Sequence, residues 1–129
     1  MSSEIQISII DDDEQSRSAL AGLLQAMGFT TVTYSSAVEF LASPNLRDSS
    51  CLIVDVHMPR MTGTELHSRL LGSGYNIPTI LITAYPDDSA RARALDQGAV
   101  GYLTKPIDEK ALLGCVESAL QRAKSDENP

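Results

Sequence analysis

Cys51-Leu52-Ile53-Val54-Asp55 is four apolar residues in a row closed by an acid. An unbroken apolar run, rather than an alternating one, is what a strand buried on both faces requires, as in a parallel sheet covered on both sides. Toward the N-terminus, Ile5 to Ile10 reads as a first strand and Asp11-Asp12-Asp13 supplies turn and cap chemistry. A helix follows from about Glu14 to Met27, with Leu20, Leu23, Leu24 and Met27 at helical spacing and Gly28 closing it. Thr31 to Tyr34 is β-branched and aromatic, hence a strand. Ser36 caps a short helix carrying Ala37, Phe40 and Leu41, stopped by Pro44 and Asn45.

Toward the C-terminus, a loop with Pro59 and Gly63 leads to a helix whose buried side is expected to carry Leu66, Leu70 and Leu71. Pro78 to Ile82 reads as a fourth strand. Pro86 is expected to start a helix over Asp87–Gln97, closed by Gly98. Val100 to Leu103 is a short fifth strand. Leu112, Leu113, Val116, Ala119, Leu120 and Ala123 mark a final amphipathic helix. Five strands alternating with five helices imply an α/β fold with a doubly wound parallel sheet. We expect one domain over residues 4–124, with the polar residues 125–129 as a tail or the start of a linker.

In such sheets ligands gather beyond the carboxyl ends of the strands. Strand one ends in Asp11 and Asp12, strand three in Asp55, strand four in Thr83, and strand five in Thr104-Lys105-Pro106. If these strands are neighbours, the side chains converge. Two carboxylates about 4 Å apart repel by roughly 4 kcal/mol at an effective dielectric of about 20. Three acids together therefore call for a divalent cation, and oxygen donors beside phosphate suit Mg²⁺, with Mn²⁺ as a substitute. Capping the first helix is the competing explanation for the triple acid, and Asp13 is assigned to it. Capping does not explain Asp55, an acid that follows a buried strand.

Lys105 is one of three lysines. It can reach a phosphate oxygen or simply pair with an aspartate. Thr83 can donate its hydroxyl to a phosphoryl oxygen or bond to local backbone. Pro106 can place the preceding peptide in cis and so orient the lysine. Together the residues suit phosphoryl transfer to a carboxylate nucleophile. No GxxxxGK[ST] loop is present, so nucleotide is not the expected donor. His57 and His67 lack the spacing of a metal pair.

The net charge of −7 and pI near 4.6 argue against direct nucleic-acid binding. Cys51 and Cys115 are expected to be reduced, buried thiols. No apolar run has membrane-spanning length and the first residues lack signal-peptide character, so a cytoplasmic protein without membrane partners is expected.

The pieces Ile9-Ile10-Asp11-Asp12-Asp13, Leu52-Ile53-Val54-Asp55-Val56-His57-Met58-Pro59 with Gly63, Ile80-Leu81-Ile82-Thr83-Ala84, and Gly98 through Pro106 resemble the receiver domains of bacterial response regulators, of the CheY-like and FixJ-receiver kind. The resemblance runs from about Ile5 to Arg122. It implies a flavodoxin-like sheet in the order 2-1-3-4-5. It implies Asp55 as phosphoacceptor in a two-component phosphorelay, with Mg²⁺ on Asp12, Asp55 and the backbone carbonyl of His57, and Asp11 acting largely through water. Lys105 would assist, and Thr83 and Tyr102 would switch the surface of helix four, strand five and helix five. His57 and Tyr85 would modulate loss of phosphate by slow self-dephosphorylation. The partners implied are a histidine kinase or histidine phosphotransfer protein and a downstream effector or missing output domain; a homodimer is possible. Two other readings remain: a phosphorylation-independent interaction module of the same fold, and a Mg²⁺-dependent phosphohydrolase with an Asp nucleophile. The first would tend to lose part of the acid pair, the acceptor or the lysine, and all are present. The second expects its nucleophile after the first strand in a DxD pattern, which Asp11 and Asp13 could mimic, but its cap insertion and later acidic motif are not recognisable.

Overall fold

The computed structural model describes residues 5–127. The strands are β1 (Gln6–Ile10), β2 (Thr30–Tyr34), β3 (Cys51–Asp55), β4 (Thr79–Thr83) and β5 (Gly101–Thr104). The helices are α1 (Glu14–Ala26), α2 (Ala37–Leu41), α3 (Gly63–Gly72), α4 (Asp88–Asp96) and α5 (Glu109–Glu127), with one 3-10 turn at Leu46–Asp48. All pairings are parallel and the sheet order is β2-β1-β3-β4-β5. This is the flavodoxin-like arrangement that the resemblance implies.

All five residues of β3 are buried, because helices cover both faces of the sheet. On one face Ile10, Val54 and Leu81 pack with Phe40, Leu66 and Leu70. On the other, Ile9, Ile53 and Ile82 pack with Leu20, Leu24, Leu112 and Val116. Asp13 caps α1 by accepting the Ser16 amide at 2.9 Å, as assigned from sequence, and Ser36 caps α2 through the Glu39 amide. Gly28, just past α1, has φ +95°, a left-handed backbone that disfavours a side chain.

Three local expectations are corrected. Leu71 is 42% exposed. The buried stripe of α3 is Gly63, Leu66, His67 and Leu70, and at 100° per residue Leu71 falls about 90° from its centre. Pro86 does not start α4. Asp87 is the cap, its side chain accepting the Ser89 amide, so the proline lies one residue outside. Cys115 is only partly buried, although both cysteines are free as expected. The last helix, α5, runs through Glu127, and residues 128 and 129 lie outside the described residues. Ile5 and Val100 fall just outside their expected strands.

Candidate functional site

Strand register builds the site. Ile10 pairs with Val54, so Asp11 and Asp55 emerge side by side where β1 and β3 end. Asp55 pairs with Ile82, and Thr83 with Thr104, which sets Lys105 at the end of β5. The Lys105 amide donates to the Thr83 carbonyl at 2.7 Å. The Lys105–Pro106 peptide is cis.

The Lys105 Nζ donates to Asp11 Oδ2 at 3.1 Å and to Asp55 Oδ2 at 3.3 Å, bridging two buried carboxylates. The other oxygen of each acid is held by backbone: Asp11 Oδ1 accepts the Asp13 amide and Asp55 Oδ1 the His57 amide. Asp12 is exposed and completes the set, with carboxylate oxygens of Asp11, Asp12 and Asp55 all within 4.8 Å of one another. Burial, and behind it the charge of Asp11, pushes the Asp55 carboxyl above its ordinary value; Lys105 and the His57 amide pull against this without cancelling it. Burial works against the Lys105 charge too, but its hydrogen bonds and the two carboxylates outweigh it and hold the ammonium above its ordinary value. Three carboxylates against one ammonium leave an all-oxygen donor set with uncompensated negative charge, which fits a hard divalent cation.

Thr83 is fully buried, and its hydroxyl oxygen accepts the Tyr85 amide at 3.0 Å. The local-backbone role weighed from sequence is therefore realised, while the hydroxyl hydrogen is left to donate elsewhere. Tyr102 is 9% exposed and sits in the core cluster with Leu81 and Ala94. The His57 and Tyr85 rings meet edge to face, 5.3 Å between centroids, although Tyr85 is otherwise 71% exposed.

Two features escaped the sequence reading. Arg17 Nη1 donates to the Asp11 carbonyl at 2.7 Å, a contact that only the closing of α1 over its own N-terminal loop creates. Gly63 is required sterically, because a Cβ there would lie 2.5 Å from the Asp55 carbonyl oxygen.

Residues 7–117 match the response regulator receiver domain family. The chain belongs to this family. Among similar proteins, the response regulator protein TodT of Pseudomonas putida is 38% identical over 91% of this chain and 52% of its own length. The transcriptional regulatory protein FixJ of Azorhizobium caulinodans is 32% identical over 95% of this chain and 58% of its own length. The crystal structure of FixJ-N superposes with a TM-score of 0.83 at 34% identity, covering 94% of this chain and 96% of that one. This receiver domain thus spans about half the length of the curated relatives it matches. It is a signalling domain of the two-component type rather than a conventional enzyme, and receiver domains work with kinases and effector domains. Among the described residues no helix is long and apolar enough to cross a membrane.

Proposed function

We propose that this receiver accepts a phosphoryl group on Asp55 from a phosphohistidine of a partner histidine kinase or phosphotransfer protein. The observation that carries the reading is Lys105 bridging Asp11 and Asp55 beside Asp12. An Asp55 carboxylate oxygen attacks phosphorus, the P–N bond breaks, and its electron pair leaves on the imidazole nitrogen of the donor. Lys105 then neutralises a phosphoryl oxygen. Mg²⁺ (or Mn²⁺), when bound by Asp12, Asp55 and the His57 carbonyl with Asp11 acting largely through water, supplies the remaining charge compensation.

The Thr83 hydroxyl, whose oxygen accepts the Tyr85 amide, donates its free hydrogen to a phosphoryl oxygen and is drawn toward it. That movement favours the inward place of the Tyr102 ring and reshapes the surface of α4, β5 and α5, a population shift limited by the differential contacts of the phosphoryl group. Pro106 orients Lys105. Tyr85 and His57 line the approach of water, so self-dephosphorylation is slow. The receiver unit is residues 4–124, with the polar residues 125–129 as a tail or the start of a linker. An effector or output domain reads the switched surface in the cytoplasm, and a homodimer through the same face is one form of output.

The test is incubation with Mg²⁺ and acetyl phosphate, followed by intact-mass measurement. Wild type should gain a labile phosphoryl mass that Asp55→Ala abolishes. Labelling that persists in Asp55→Ala sinks the assignment.

A further inference from the structure

Arg17 lies one turn into α1, where its amide donates to the Asp13 carbonyl and closes the first turn of the helix. Its guanidinium reaches back and donates from Nη1 to the Asp11 carbonyl at 2.7 Å. That carbonyl belongs to the peptide joining Asp11 to Asp12, and a peptide is one rigid plane. Fixing its oxygen fixes the direction in which the chain leaves toward Asp12. The Asp11 carboxylate has its own holders in Lys105 and the Asp13 amide, and the Asp11 amide donates to the Tyr34 carbonyl. Asp12 has none: among the described residues its side chain makes no recorded hydrogen bond or ion pair. The place of Asp12 in the carboxylate set therefore depends on the peptide that Arg17 holds.

We infer that Arg17 is a positioning residue for the cation site, holding the Asp11–Asp12 peptide so that the Asp12 carboxylate faces Asp11 and Asp55. This rests on the Mg²⁺-assisted reading above. A charge role would act with the opposite sign. A guanidinium beside three acids opposes a divalent cation, so by charge alone its removal should tighten binding. As a positioning residue its removal loosens Asp12 and weakens binding; loss of an outer partner of a metal ligand typically weakens affinity by about tenfold or more.

The experiment is calorimetric Mg²⁺ titration of wild type, Arg17→Ala and Arg17→Lys, with circular dichroism and thermal melting in EDTA. Arg17→Ala should bind Mg²⁺ about tenfold more weakly while remaining fully folded at the titration temperature. Arg17→Lys, which keeps a charge and a donor, should recover part of the affinity. Saturating Mg²⁺ should restore the rate of acetyl phosphate labelling in Arg17→Ala. Unchanged or tighter binding by Arg17→Ala, or weakening that only tracks a loss of folded protein, overturns the role. If wild type neither binds Mg²⁺ nor labels, the functional reading falls and this inference with it. If wild type does both and Arg17→Ala matches it, only the role of Arg17 falls.

Discussion

Asp55 carries a charge that its surroundings resist. It is 5% exposed and faces Asp11, and among the described residues Lys105 and the His57 amide oppose the penalty. Asp55→Asn should therefore stabilise the metal-free protein by about 1 kcal/mol, several degrees in Tm, even though it surrenders one bond to Lys105. Melting in EDTA checks this, and a lower Tm would mean that the lysine bridge outweighs the repulsion. Tyr85 carries a kinetic expectation instead. If its ring, set edge-on against His57, hinders water, Tyr85→Ala should speed loss of phosphate severalfold. Decay followed by intact mass decides it, and an unchanged or slower rate refutes the idea. His67 sets a pH dependence. It is 3% exposed, its Nδ1 has no hydrogen-bond partner among the described residues, and burial followed by the charge of Arg122 lowers its pKa from the ordinary 6.5. Below pH 6.5 the unfolded chain takes up a proton that the folded chain refuses. Stability is thus lost as pH falls from 6.5 toward the folded value, by at most about 1.4 kcal/mol per pH unit. Tm measured from pH 7.5 to 5.5 should fall less steeply in His67→Leu than in wild type.

Between elements, the contact of α3 with the end of β3 leaves no room at Gly63. Gly63→Ala should cost about 1–3 kcal/mol in urea unfolding and slow phosphorylation, because the atom it strikes is the backbone of Asp55 itself. Much of this architecture is legible in one dimension. Unbroken apolar runs such as Leu52-Ile53-Val54 and caps such as Asp13 and Ser36 carry their own signal. So do the acids and the lysine, because their chemistry is out of place at buried strand ends. Helix faces are less legible. Leu71 and His67 are both near the stripe of α3, and hydrophobicity favours the leucine while the angle on the helix favours the histidine. Proline marks a boundary without saying on which side the cap falls, hence the displacement of Pro86. The reach of Arg17 back to Asp11 was illegible, since a long exposed-looking side chain on a helix names no partner until the loop beneath it has a shape.

At the scale of the molecule, a cation held by the folded site alone must stabilise the whole fold. Mg²⁺ at about 100 times its dissociation constant should add about 2.7 kcal/mol, and EDTA should remove it. Asp12→Ala should melt at nearly the same temperature with and without Mg²⁺; a full Mg²⁺ response there would exclude Asp12 as a ligand. The site also draws on four of the five strands, and the bond from Lys105 to Asp11 joins positions 94 residues apart. Parallel pairings of this kind close late, since long loops must be gathered first. The last strand therefore delivers the ammonium without which the acids repel. A chain still open at β5, whether newly made or partly unfolded, lacks the Lys105 ammonium that the proposed phosphoryl transfer draws on. Under the proposed function the bridge would work as an inspection step: only a finished molecule could be handed a message.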